Sequence, residues 1–312
     1  VNLNVNPGNK KAVFIVTYNN SFFIIFIINP MKKAFIILTL IIFSMGLTYS
    51  QEKSCCKTET EMSAIDKFAS FGDDKEFRDA HPLPEPFTLA NAQGSMITFS
   101  TPDGQTANAY EIKSSGTSGK YILMFHEWYG LNDYIKKEAD ELQSQLGDVT
   151  ILALDLYDGK VAQNNEEASS YVKSVSKERA LNIIKGAETY SNSSQIGTMG
   201  WCFGGGWSLQ SAIELGDKCK ACVMYYGMPE TDTSRLAKLK APVLGIFGNL
   251  DQNITPAVVS TFQENMKLLN KPITVYTYDA VHAFANPSNP KHDPEATKDA
   301  KEKTIKFFRD NL

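Results

Sequence analysis

Six short apolar runs recur beyond residue 120: "YILMF" (121–125), "VTILAL" (149–154), "IGTMG" (196–200), "CVMYYG" (222–227), "VLGIF" (243–247) and "ITVYTY" (273–278). Segments with helical apolar spacing separate them, among them "YIKKEADELQSQLG", which stops at Gly147, and "EEASSYVKSVSKERALNIIKGAETY", read as one helical spacer. Strands that are apolar throughout, rather than alternating, must be covered on both faces. Runs alternating with helices therefore predict an α/β fold, a mostly parallel sheet with helices on both faces. Ahead of it, "MITFSTPDGQTANAYEI" alternates apolar and polar residues on both sides of a Pro-Asp-Gly turn, the pattern of an antiparallel hairpin. "PEATKDAKEKTIKFFRDNL" closes the chain as an amphipathic helix.

The N-terminal part has a different composition. Residues 1–50 contain no Asp or Glu and carry the apolar runs "SFFIIFII" and "AFIILTLIIFSMGL". From Met31, "MKKAFIILTLIIFSMGLTYS" reads as a signal peptide (31–50): two lysines, an apolar core, then small or polar residues before a cut after Ser50. On this reading Met31 is the initiator, the upstream segment is a start-site artefact, and the chain is exported. Neither apolar run reaches the length of about 18–20 residues that a spanning helix needs, so no stable membrane anchor is expected. Residues 51–86 are polar and end in "HPLPEPF", and are taken as a loosely packed lead-in to a single domain at 87–312.

In a parallel sheet, functional groups collect in the loops beyond the carboxyl ends of the strands. That rule selects His126 and Glu127, Asp155, Cys202, Asp251 and His282. Cys202 stands at the centre of "GWCFGGG", between an apolar run and the helical "WSLQSAIEL". A strand turning sharply through G-x-nucleophile-x-G into a helix is the nucleophile elbow of the α/β-hydrolase fold, where Gly200 and Gly204 permit close packing. A free cysteine is more commonly a small buried hydrophobe, but the flanking glycines favour a nucleophile. The order nucleophile, acid, histidine matches that fold's triad. Of the histidines at 81, 126, 282 and 292, His282 follows the last strand directly, where a triad histidine belongs, whereas His292 sits in the Pro-rich "NPSNPKHDPE" loop. His81 precedes the expected core. Asp251 follows "VLGIFGNL", and Asp279 is its rival through proximity to His282.

"HEWYG" opens like the zinc-protease motif H-E-x-x-H, but Gly130 stands where the second histidine belongs, so no metal is expected. All 35 carboxylates lie beyond residue 50, which makes the remainder more acidic than the −4 of the whole chain, and nucleic acid is excluded as a partner. Cys219-Lys-Ala-Cys222 raises a second reading, an exported thiol redox protein. Because Cys222 opens a strand rather than a helix, a structural disulfide or two unpaired thiols fits it better. A non-catalytic binding module is a third reading, disfavoured because every triad position is filled.

Taken together, "HEWYGLNDYIKKEADEL", "LALDLYDGK", "GWCFGGG", "YYG", "GNLDQNITP" and "HAFANPS" resemble the dienelactone hydrolase family, and the "HEWYGLN" wording is similar to its exported members. The resemblance implies Cys202 as nucleophile, His282 as its base, Asp251 orienting the imidazole and Glu127 contacting the sulfur. It also implies an oxyanion hole from the backbone N–H groups of Phe203 and Trp128, with Tyr129 and Asn286 in the substrate pocket. It calls for no cofactor, and the chain is expected to act as a monomer on a small ester or lactone. Asn286 replaces an arginine that holds the substrate carboxylate in the chlorocatechol-pathway enzymes. That loss points away from dienelactone itself and towards neutral substrates, unless Lys173 or Arg179 supplies the cation.

Overall fold

The computed structural model describes residues 2–3, 12–18, 22–28 and 62–312. It divides into two compact units, residues 1–61 and 62–312. In the first, β1 (Asn2–Leu3), β2 (Ala12–Tyr18) and β3 (Phe22–Ile28) pair antiparallel in that order. The signal peptide read over 31–50 and the Cys55-Cys56 pair lie outside the described residues. No helix among the described residues is long and apolar enough to cross a membrane.

The second unit is built on an eight-stranded sheet. Its strands are β4 (Ser95–Ser100), β5 (Thr106–Ile112), β6 (Tyr121–Phe125), β7 (Thr150–Leu154), β8 (Ile196–Trp201), β9 (Cys219–Tyr225), β10 (Val243–Gly248) and β11 (Ile273–Tyr278). They lie in the order β11-β10-β9-β8-β6-β7-β5-β4. β6 to β11 run parallel, and the β4–β5 hairpin adds antiparallel to β7. This is the α/β-hydrolase architecture that the apolar runs implied. The inner strands β7, β8 and β10 are buried along their whole length, whereas the edge strand β11 alternates in exposure, since only one side of an edge strand is covered.

α3 (Asp133–Leu146) and the C-terminal α9 (Pro294–Asn311) pack together on one face. α3 starts on the Asn132 side chain, which accepts from the Ile135 amide, and ends at Gly147 with φ 72°. The other face carries α4 (Asn165–Ser174), α5 (Lys177–Ser191) and α6 (Phe203–Leu215). The shorter α7 (Thr233–Leu236) and α8 (Pro256–Leu268) precede β10 and β11.

Three expectations are corrected. The spacer after β7 is two helices: Val175 leaves the helical region with ψ 99°, and the Ser176 hydroxyl starts α5 by accepting from the Arg179 amide. β9 begins at Cys219, three residues before the expected start. Most consequentially, the lead-in is not loose. Residues 62–86 hold α1 (Ala64–Ser70), a 3₁₀ turn (Phe71–Asp73) and α2 (Lys75–Asp79), and they bury Ala64, Ile65, Phe68, Phe77 and His81 in the main core. The core therefore starts near Ala64; Phe87, its expected first residue, is exposed.

Candidate active site

Sheet order fixes the site. Across the neighbouring strands β11, β10, β9, β8 and β6, the segments beyond the carboxyl ends present His282, Asp251, Tyr226, Cys202 and Glu127 in turn. The register aligns these ends, pairing Phe125 with Gly200, Trp201 with Tyr225 and Gly248 with Tyr278.

Cys202 caps α6 with φ 56° and ψ −117°. A non-glycine residue there costs about 1–3 kcal/mol, sustained by a hydrogen bond of 3.0 Å from its amide to the Tyr225 carbonyl and by two close backbone approaches. A Cβ on Gly200 would stand 2.3 Å from the Gly204 carbonyl oxygen, and one on Gly204 would stand 2.3 Å from that of Phe125. Hence the glycines: the elbow closes only without side chains at these positions.

The sulfur lies 3.3 Å from His282 Nε2, and His282 Nδ1 lies 2.6 Å from Asp251 Oδ2. The other Asp251 oxygen accepts from the Asn253 and Ile254 amides at 2.8 and 2.9 Å. Asp251 is thus the carboxylate the sequence favoured, and its rival Asp279 is exposed. Burial pushes the Cys202 thiol up, with His282 opposing and the Glu127 charge adding to the rise. Burial pulls His282 down, but the Asp251 carboxylate and the facing sulfur outweigh it and hold the imidazole well above its usual value. While the proton stays on sulfur the imidazole faces no anion, so its elevation then rests on Asp251. The resting pair is a neutral thiol beside a basic imidazole.

Of the two amides assigned to the oxyanion hole, that of Phe203 begins α6 and is directed at the sulfur, lowering the thiol's pKa. That of Trp128 has no acceptor among the described residues. Glu127 departs from expectation. Its hydrogen bonds go not to the thiol but to the Tyr226 hydroxyl, at 3.1 Å, and to the Asn286 amide. Burial raises its carboxyl to about 7 against these two donors and His282. Asn286 is likewise occupied, its Nδ2 donating to Glu127 and its Oδ1 accepting from Ser288. Tyr129, also expected to meet substrate, donates its hydroxyl proton to the His81 carbonyl at 2.6 Å, and the hydroxyl oxygen lies 2.8 Å from Asn165 Oδ1. Tyr129, Asn286 and Glu127 share a small cavity of about 20 Å³. A cavity of about 710 Å³ between α3 and α9 is lined by none of Cys202, His282 and Asp251.

Three residues at the site were not singled out from sequence. Tyr226 holds Glu127. Asn165 accepts from Trp128 Nε1 at 3.0 Å and donates to the Arg78 carbonyl at 2.9 Å, tying α2 to the oxyanion loop. His81, set aside as preceding the core, is buried with Nε2 3.7 Å from the Cys202 sulfur and Nδ1 2.7 Å from the Phe77 carbonyl. Burial and the neighbouring His282 lower its pKa to about 3. His126, beside Glu127, is structural: its Nε2 accepts from the Leu156 amide and its Nδ1 faces the Glu127 carbonyl. Neither Lys173 nor Arg179 reaches the site, being paired with Asp73 and with Asp103 and Asp158 respectively.

Residues 107–312 match the model of the dienelactone hydrolase family. Among curated relatives, protein usf of Aquifex pyrophilus is 26% identical over 70% of this chain and 99% of its own length. Carboxymethylenebutenolidase 1 of Cupriavidus pinatubonensis is 22% identical over 68% and 95%. Among solved structures, a dienelactone hydrolase-like promiscuous phosphotriesterase from metagenomic libraries superposes with a TM-score of 0.59 at 21% identity, covering 70% of this chain and 99% of that one.

Proposed function

The chain belongs to the dienelactone hydrolase family, and from that premise we propose that it hydrolyses small carboxylic esters or lactones through a Cys202-His282-Asp251 triad. The observation that carries this reading is the pair of contacts at the elbow, 3.3 Å from sulfur to imidazole and 2.6 Å from imidazole to carboxylate.

With its Nδ1–H given to Asp251, His282 presents a lone pair at Nε2 to the thiol. His282 takes the thiol proton as the sulfur attacks the ester carbonyl. The oxyanion forms towards the Phe203 and Trp128 amides, which are preorganised for charge that develops only in the transition state. The imidazolium returns its proton to the departing alkoxide. The resulting thioester is then opened by a water that His282 deprotonates, and the thiol is restored. Burial is the main reason the resting nucleophile stays protonated, and Glu127, when charged, adds to it.

The redox reading finds no such support: Cys219 and Cys222 are both free and buried in β9. In a panel of aryl esters and lactones, Cys202→Ala should lose at least about a thousandfold in kcat/KM, as removal of a nucleophile does elsewhere, with an unchanged circular dichroism spectrum. Retention of most of the activity by the folded variant would falsify the triad.

A further inference from the structure

Two imidazole nitrogens converge on one sulfur. His81 Nδ1 faces the Phe77 carbonyl, which accepts its proton, and His282 Nδ1 faces Asp251, so each ring in its neutral form presents a lone pair at Nε2 to Cys202, at 3.7 and 3.3 Å. A thiol has one proton and can satisfy one of them. The two nitrogens and the sulfur all lie within 4.8 Å of one another, and all three residues are buried.

We propose that His81, Cys202 and His282 form a binding site for a thiophilic divalent cation, Zn²⁺, that captures the resting nucleophile and blocks turnover. A tetrahedral zinc site with Zn–S near 2.3 Å and Zn–N near 2.0–2.1 Å separates sulfur from nitrogen by about 3.6 Å, and nitrogen from nitrogen by about 3.3 Å. The two sulfur–nitrogen distances bracket the first value, so only the approach of the two rings to each other has to adjust. Both outer partners are also in place. Metal-bound histidines give their second N–H to a carboxylate or a carbonyl, which Asp251 and Phe77 supply. Binding replaces the S–H bond by an S–Zn bond and releases that proton to solvent. His81 lies outside residues 107–312, so this third ligand comes from a part of the chain beyond the region that marks the family. The site deepens the hydrolase reading because it uses the same thiol, but metal binding does not depend on turnover.

The test is titration of the chelator-stripped full chain with Zn²⁺ by calorimetry, with Co²⁺ as a spectroscopic stand-in and ester hydrolysis followed in parallel. One ion per chain is expected, with proton release, a thiolate-to-cobalt charge-transfer band, and inhibition with the same midpoint as binding. His81→Gln should weaken Zn²⁺ binding by at least about tenfold, no less than loss of an outer partner costs at known sites, and should shift the inhibition midpoint equally. A charge-transfer band that survives Cys202→Ala, or alkylation of Cys202, would place the ion on other cysteines and overturn the proposal. So would an affinity indifferent to His81→Gln. A chain that binds the ion as described yet hydrolyses no ester overturns the hydrolase reading instead and leaves the metal site standing.

Discussion

At the level of single residues, the arrangement around the Cys202 thiol is set by which buried polar group holds which proton. Glu127 is the clearest case. Tyr226 and Asn286 both donate to it, yet burial still lifts its carboxyl from 4.5 to about 7. A group whose value is raised on folding contributes stability that is complete below its unfolded value and is lost as pH rises through the folded one. The window is therefore from about 4.5 to about 7. At about 1.4 kcal/mol per unit, the native state should lose on the order of 3 kcal/mol across it on account of this one side chain. Glu127→Gln removes the titration. Urea unfolding of both proteins at pH 5 and pH 8 should show the variant gaining about 2–3 kcal/mol relative to wild type at the higher pH. A difference independent of pH would mean that Glu127 ionises in the fold as it does in the unfolded chain. The sequence placed Glu127 correctly at the end of β6 but mistook its partner, because that partner, Tyr226, is 99 residues away and reaches it only through the neighbouring positions of β9, β8 and β6.

At the level of elements, most of the sheet was legible, since a parallel strand buried on both faces is apolar along nearly its whole length, as the runs of β6, β7, β9 and β10 are; the edge strand β11, with Thr274 and Thr277, was legible through its β-branched and aromatic residues. The elbow was legible for a related reason: Gly200 and Gly204 have a steric task that no other residue type can perform. The N-terminal arm, α1 and α2, was not. Its segment is polar on average, and Phe68 and Phe77 become core residues only by meeting aromatic partners far away in sequence: Phe203 at 5.9 Å from Phe68, and Trp128 and His282 at 5.4 and 5.8 Å from Phe77. The break at Val175 was missed because helical spacing continues across it; the Ser176 cap was the available signal. The arm also covers Cys202, which is only 1% exposed and has His81, packed 4.3 Å from Phe77, against it. Phe77→Ala should therefore do two things. It should cost about 3–5 kcal/mol, as truncation of a buried phenylalanine does, and it should speed alkylation of Cys202 by iodoacetamide at temperatures where the variant is still folded. Equal alkylation rates in the two folded proteins would show that the arm is packing alone and does not guard the sulfur.

At the level of the whole molecule, where the cations go decides what the site can accept. The chain has four arginines. Arg179 is clamped between Asp103 and Asp158, Arg235 binds Glu230, Arg78 donates to the Gly72 carbonyl and Arg309 to that of Gln145. None touches the triad. Lys173 is bound to Asp73 and Lys301 to Glu138 and Glu141, and Asn286, where the family resemblance implies a substrate-facing side chain, carries no charge and is already engaged with Glu127. A carboxylated lactone entering this site would place its charge near a buried glutamate with no guanidinium to meet it, whereas a neutral ester needs only the two oxyanion amides. Hydrogen bonds to charged groups contribute about 1.5–3 kcal/mol against about 1 for neutral ones, so forgoing the clamp should cost the acid about 1–2 kcal/mol of transition-state binding. At about 1.4 kcal/mol per decade, kcat/KM for a lactone lacking the carboxylate should exceed that for its carboxylated twin by about tenfold. Adding salt should narrow the gap little, because repulsion inside a buried site is weakly screened. The matched pair is to be assayed at low and high ionic strength. A preference for the acid would mean that a lysine or arginine swings in from one of these ion pairs, and the first to substitute would be Arg179, whose guanidinium could hold a carboxylate bidentately.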